Sequence, residues 1–144
     1  MPFLLLKSEP DTFSIDDLRK AKGKTTLWDG VRNFQARNNM RAMKIGDLGF
    51  FYHSGEDREV VGIMEVSALA HPDPKDGTGT WQCVDVRAVA PLPKPVTLAA
   101  VKESAKLGGM VLAKNSRLSV QPVTAAEWSE VCRMGGLDAK KLKG

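Results

Sequence analysis

The chain has 144 residues, a length that suits one domain spanning 1–144 and too short for two well-buried cores. Its 42% apolar and 26% charged residues are ordinary globular values, so the fold is expected to need no metal or disulfide staple. A net charge of +4 and a pI near 9.2 permit an anionic partner without requiring one, and two distant cysteines argue against a secreted disulfide framework.

The run Phe3 to Lys7, ending at Ser8-Glu9-Pro10-Asp11, reads as a buried strand and a turn. It is too short for a signal peptide, and no stretch is long enough to span a membrane. A cytoplasmic protein with reduced thiols is therefore expected. Ser14 opens a helix, with Asp17 as its capping-box partner, and Gly23 stops it. Thr25 to Trp28 is a brief extended piece, and Asp29-Gly30 turns the chain.

Asn33 to Met43 is predicted helical, ending near Gly46. Asp47 to Ser54 and Val60 to Val66 form a predicted hairpin around Gly55-Glu56-Asp57. His71 to Gly79 reads as a loop and Trp81 to Val89 as a strand, with Pro91, Pro93 and Pro95 as a stiff connector. Thr97 caps a helix to about Leu107, stopped by Gly108-Gly109. Leu118 to Val123 is a last strand, which Pro122 confines to an edge or a bulge. The capping box Thr124-Ala125-Ala126-Glu127 begins a final helix that Gly135-Gly136 closes. Short strands with interspersed helices predict an α+β fold: a small, strongly bent sheet or barrel with helices outside.

The chemistry-bearing motifs are sparse. There is no phosphate-cradling glycine pattern, no His-Glu-x-x-His and no Cys-x-x-Cys. His53 adjoins Ser54, but strand neighbours point to opposite faces and cannot pair directly. His71 reads as a surface residue, and Cys83 as a buried inert thiol. No catalytic residue, metal or cofactor is expected.

The densest signal is Trp28 to Arg41. From Gly30 to Lys44 there is no acid, while Arg32, Arg37, Arg41 and Lys44 all fall there. On a helix Ala36, Met40 and Met43 share a core-facing side, and Phe34, Arg37, Asn38 and Arg41 lie on the other. The plain reading is a solvated basic face beside a core tryptophan. The sharper reading is a binding surface. Arginines reach phosphate or carbonyl groups, amides suit a base edge, and Trp28 supplies a stacking plane.

Four blocks in order resemble the EVE domain family: Leu5-Leu6-Lys7-Ser8-Glu9-Pro10-Asp11, Trp28 to Asn38, Phe50-Phe51-Tyr52-His53-Ser54, and Ser116 to Val123. Phe34 stands where that family often has tyrosine, and the 71–79 loop is short. The resemblance implies a PUA-like fold, a mixed β-barrel (pseudobarrel) flanked by helices, with kinship to YTH and ASCH domains. It implies a non-enzymatic nucleic-acid-binding domain that accommodates a modified nucleobase, such as modified cytosine in DNA. The alternatives are a general RNA-binding domain indifferent to modification and, behind it, a nucleotide-directed enzyme.

Carried over by position, Trp28 becomes a pocket wall. Lys7 and Ser8 come from the end of the first strand, and Asn33, Arg37 and Asn38 line or rim the pocket. Either Tyr52 and Ser54 or His53 faces the ligand. Arg117 and Ser119 lie near the pocket or the phosphate backbone, and Arg32, Arg41 and Lys44 contact phosphates. Tyr52 reads equally as a core aromatic, and Arg117 also as a structural ion pair. The expected partner is DNA or RNA carrying a modified base, with no membrane or metal. No apolar patch reveals a dimer face, and a monomer is favoured.

Overall fold

The computed structural model describes residues 3–11, 13–29, 31–55, 58–114 and 118–137. In chain order the elements are β1 (Phe3–Ser8), α1 (Ile15–Lys20), β2 (Thr25–Leu27), α2 (Phe34–Arg41), β3 (Leu48–His53) and β4 (Glu59–Pro72). Then come β5 (Gln82–Thr97), α3 (Leu98–Glu103), α4 (Val111–Lys114), β6 (Val120–Val123) and α5 (Ala125–Met134). The strands form one sheet in the order β2-β5-β4-β3-β1-β6. Only β1 and β3 pair in parallel among the described ladders, joined by a crossover through α1, β2 and α2. The α+β expectation is met. The ladder stays open at β2 and β6, so the PUA-like barrel is approximate.

The sheet is covered on both faces, which explains the unbroken apolar runs. Along β1, Leu4 and Leu6 join one core cluster and Leu5 the other. Along β3, Phe51 belongs to the first, and Phe50 and Tyr52 to the second. Strand alternation therefore sends neighbouring apolar side chains into two separate layers, so no polar alternation is visible. Trp28, Leu18 of α1 and Ala36 and Met40 of α2 fill the first layer. Val101, Leu112, Trp128 and Val131 fill the second.

Several expectations needed revision. The prolines at 91, 93 and 95 lie inside β5 and form no connector. The β4–β5 register jumps from Gly62↔Pro91 to Val60↔Val96, so the proline stretch bulges outward, and all three prolines are exposed. β2 pairs with β5 only at 85–87, so the outer edge beyond Arg87 asks for no ladder N–H groups from the prolines. Strand β4 continues past Val66 to Pro72, and the loop begins at Asp73. Helix α2 is shorter than expected because Asn33 is its N-cap, its side chain accepting from the Ala36 N–H at 2.9 Å. Helix α3 stops at Glu103, and buried Leu107 and Met110 anchor the turns that lead into α4, which the pattern did not show.

Pro122 does lie on an edge strand, opposite Leu4, and the Thr124 capping box does open α5. Ile15 at the start of α1 packs onto Gly62 of β4, where a Cβ would displace its Cδ1 and lie 3.1 Å from the Ala90 carbonyl oxygen.

Candidate nucleic-acid interface

A cavity of about 350 Å³ opens where β1 and β2 end, lined by Lys7, Ser8, Phe13, Thr26, Leu27, Trp28, Asp29 and Lys75. Its floor is set by strand geometry. The Trp28 N–H donates to the Val84 carbonyl at 2.8 Å, continuing the β2–β5 ladder. The indole stands edge-on to Phe51 at 5.2 Å and is 7% exposed. The Ser8 hydroxyl donates to the Phe13 carbonyl at 2.7 Å, which draws Phe13 to the wall. Lys75 reaches across to Asp29 at 3.4 Å. Apolar surface from Phe13, Leu27 and Trp28 thus faces several polar and charged groups, Lys7, Ser8, Thr26, Asp29 and Lys75.

The loop from Asp73 to Trp81 bears on this cavity through Lys75, and aspartates shape it. Asp73 Oδ1 accepts from the Lys75 N–H at 2.8 Å. Asp76 accepts from the Thr78 hydroxyl at 2.7 Å and from the Trp81 N–H at 2.8 Å. The Thr78 hydroxyl, with the backbone N–H groups of Thr78 and Trp81, holds the Asp76 carboxyl down to about 2.

The arginines expected to reach phosphate are engaged with this loop. Arg32 pairs with the buried Asp73 carboxylate at 3.0 Å. Arg37 donates to the Thr80 carbonyl at 2.9 Å, and Arg41 Nε to Gln82 at 2.7 Å. Arg32 and Arg37 also lie over the Trp81 ring at 5.8 and 5.9 Å, and Arg37 over Phe34 at 4.8 Å. Arg32, just before α2, therefore meets an acid, and Arg37 and Arg41 of α2 meet a backbone carbonyl and a side-chain amide, all from a segment some 40 residues away.

The other expected site residues divide among several places. Lys7, Ser8 and Trp28 meet in the first cavity. Tyr52 and Ser54 line a second cavity of about 380 Å³ with Lys7, Gly55, Arg58, Leu98 and Lys102. His53 points to the Phe51 side, where its Nε2 accepts from the Ile15 N–H at 3.1 Å, so it braces α1. Asn33 is spent on its cap, and Asn38 Oδ1 accepts from Arg37 at 3.3 Å. The Ser119 carbonyl accepts from the Lys7 N–H at 2.9 Å. Lys44 is exposed at the turn after α2, its N–H bonded to Asp47. Arg117 lies outside the described residues.

Phe13, Thr26, Leu27, Asp29 and Lys75 line the first cavity without having been singled out from the sequence. Phe13 carried one signal, as the apolar residue just before the Ser14 cap. Leu27, 37% exposed beside a buried tryptophan, carried none.

Burial shifts Lys7 below its ordinary value. It shifts Tyr52 upward, with Arg58 opposing and Glu59 adding to the rise.

A Cys83–His71–Asp85 cluster also forms, in which the His71 side chain stays partly exposed at the surface. His71 Nε2 lies 2.8 Å from Asp85, but the Cys83 sulfur stands 3.9 Å from both ring nitrogens. Burial, then Asp73, Asp85 and Asp29, push the thiol up to about 11, the opposite of an activated nucleophile. Among the described residues no three His, Cys, Asp or Glu side chains are grouped to hold a metal ion, and no helix is long and apolar enough to cross a membrane.

Comparison with known proteins adds to this geometry. The family model described as EVE domain matches residues 3–134. Human thymocyte nuclear protein 1 is 36% identical over 88% of this chain and 71% of its own length. A crystal structure of a protein from Agrobacterium tumefaciens superposes with a TM-score of 0.95 and 53% identity, covering 100% of this chain and 99% of that one. The crystal structure of human THYN1 protein in complex with 5-methylcytosine containing DNA superposes with a TM-score of 0.87 and 35% identity, covering 94% and 98%.

Proposed function

The chain belongs to the EVE domain family, and on that premise we propose that it is a non-enzymatic nucleic-acid-binding domain that receives a modified cytosine of DNA in the cavity walled by Trp28. The observation that carries the reading is the composition of that cavity: Phe13, Leu27 and Trp28 beside Ser8, Thr26 and Asp29, with Lys7 and Lys75 on its walls. The DNA complex of the human relative supports the partner class.

The chemistry follows from the groups present. A base must leave its stack to enter such a cavity, at a cost of a few kcal/mol that contacts in the cavity must offset. Trp28 and Leu27 offer flat and aliphatic surface on which an added methyl group gains contact and displaces water. The Asp29 carboxylate suits the exocyclic amino group of cytosine, which thymine lacks. Ser8 and Thr26 add hydroxyls for the base edge. The exposed Lys44 serves a flanking phosphate, and Lys75 holds the Asp29 carboxylate at the cavity wall.

Fluorescence anisotropy with duplexes that differ in a single 5-methylcytosine tests this, alongside matched RNA. Trp28→Ala is a poor probe, because truncating a buried tryptophan costs about 3–5 kcal/mol of stability. Leu27→Ala and Asp29→Asn alter the cavity at its exposed rim. We expect tighter binding to the methylated duplex, and Asp29→Asn to weaken it by about tenfold, within the range for one base-edge contact. Equal affinity for methylated and plain strands would leave a general RNA- or DNA-binding domain. Wild-type affinity in both variants would remove the base from this cavity.

A further inference from the structure

Of the two large apolar side chains of α2, Met40 is fully buried and Phe34 is 59% exposed. Phe34 does not stand alone. Its ring lies 4.8 Å from that of the half-buried Trp81, tilted by 32°. Arg37 lies over both rings, and Arg32 lies over Trp81 from the segment before the helix. The pair is thus held in place with much of the Phe34 surface left open. Helical spacing puts Phe34, Arg37, Asn38 and Arg41 in one stripe.

The charge beside the rings is positive. Arg37 donates to the Thr80 carbonyl and the Asn38 amide oxygen, and Arg41 to the Gln82 amide oxygen. These partners are neutral, so among the described residues neither guanidinium is neutralised by an ion pair. The acids of the facing loop are turned elsewhere. Asp73 is buried against Arg32, and Asp76 accepts from the hydroxyl and N–H of Thr78 and from the Trp81 N–H. The seam between this loop and the helix begins at the Trp28 cavity, where Lys75 meets Asp29. It passes the Phe34–Trp81 pair and ends where Arg41 meets Gln82. A flat aromatic surface flanked by arginine suits the π-face of a nucleobase, whichever base it is. In a duplex that face is covered by the stacked neighbours, so only an unpaired base offers it.

We infer that Phe34 and Trp81 form a stacking platform for a second, unpaired base of the strand whose modified base occupies the Trp28 cavity. The domain then grips two nucleotides of one strand. The link to a modified base rests on the function proposed above; the platform itself rests on the two rings and the arginines beside them.

Anisotropy with single-stranded oligonucleotides carrying one 5-methylcytosine tests it, with each flanking nucleotide made abasic in turn. Wild type should lose about tenfold in affinity at one flanking position, within the range for one stacked base. Phe34→Leu keeps apolar bulk against Trp81 but offers no flat face. It should bind the intact strand about tenfold more weakly and no longer sense the abasic position. Its salt slope should match wild type, because stacking releases no counterions. Phe34→Tyr should restore both the affinity and the dependence on the flanking base. Wild-type affinity in Phe34→Leu, abasic sensitivity that persists in it, or a lowered salt slope would each overturn the platform. If methylated and plain strands bind alike while the Phe34 effects hold, the modified-base reading falls and the platform stands. If methylation still matters and Phe34→Leu changes nothing, the reading stands and the platform falls.

Discussion

His53 offers the sharpest test of how the first cavity is built. The first N–H groups of a helix have no partner within it. In α1 the Ser14 hydroxyl takes the Asp17 N–H, and His53 Nε2, from the end of β3, takes the Ile15 N–H at 3.1 Å in a buried setting. Nε2 accepts here, so the ring carries its proton on Nδ1. His53→Leu keeps bulk but removes the acceptor. An unpaired buried donor costs about 1–3 kcal/mol. In a domain of this size about 1 kcal/mol moves the melting temperature by about 4 °C, so a fall of about 4–12 °C is expected. His53→Gln places a carbonyl oxygen at similar depth and should recover most of it. Phe13 sits just before this helix and walls the cavity, so the leucine variant should also bind methylated DNA less tightly. Its salt slope should stay as in wild type, because no phosphate contact is lost. Thermal denaturation followed by circular dichroism, with anisotropy on the same samples, reads both effects. A leucine variant as stable as wild type, or a glutamine variant no better than leucine, would refute the strut.

Two further expectations separate structural from binding roles. Arg32→Met should destabilise the fold by about 1–3 kcal/mol, because the Asp73 carboxylate it pairs with is fully buried, and should shift the Trp81 indole resonance while leaving the DNA salt slope unchanged; a slope lower by about one with unchanged stability would make Arg32 a phosphate contact instead. Burial raises the Cys83 thiol to about 11 and Cys132 to about 12, so both should resist iodoacetamide in the native protein and react once urea unfolds it. Because the folded values lie above the ordinary 9.0, the thiols' stabilising contribution is complete below that pH and is lost as pH rises towards 11. Urea midpoints should therefore fall through that alkaline range less steeply in the Cys83→Ala, Cys132→Ala protein. Rapid native alkylation would contradict this.

Much of the fold was legible locally. The Ser14 and Thr124 boxes, Pro122 on its edge strand, and Ala36 and Met40 on the inner side of α2 all follow from short-range pattern. The prolines of β5 misled, because local rules treat Pro91 to Pro95 as a connector. The strand tolerates them only because β2 has already ended and the register with β4 has slipped. Helix α4 is four residues long, too short to show a period.

The sequence blocks named residues that line cavities, but not how those residues are grouped. Lys7, Ser8, Trp28, Tyr52 and Ser54 all line cavities, yet they serve two cavities that share Lys7. Alternation along β3 permitted Tyr52 and Ser54 on one side and His53 on the other, but could not say which side held Trp28.

The sequence alone determined the family, the α+β class, the helix caps and a basic, amide-rich segment after Trp28, because each depends on residue type at short spacing. Only the tertiary structure decided what that segment does. Asp73, Thr80 and Gln82 lie some 40 residues from the arginines that hold them. No local pattern encodes such a pairing, since it arises when β4 and β5 return the loop against α2. Side chains that read as open to phosphate are thereby engaged, and Phe34 meets Trp81 across the same seam.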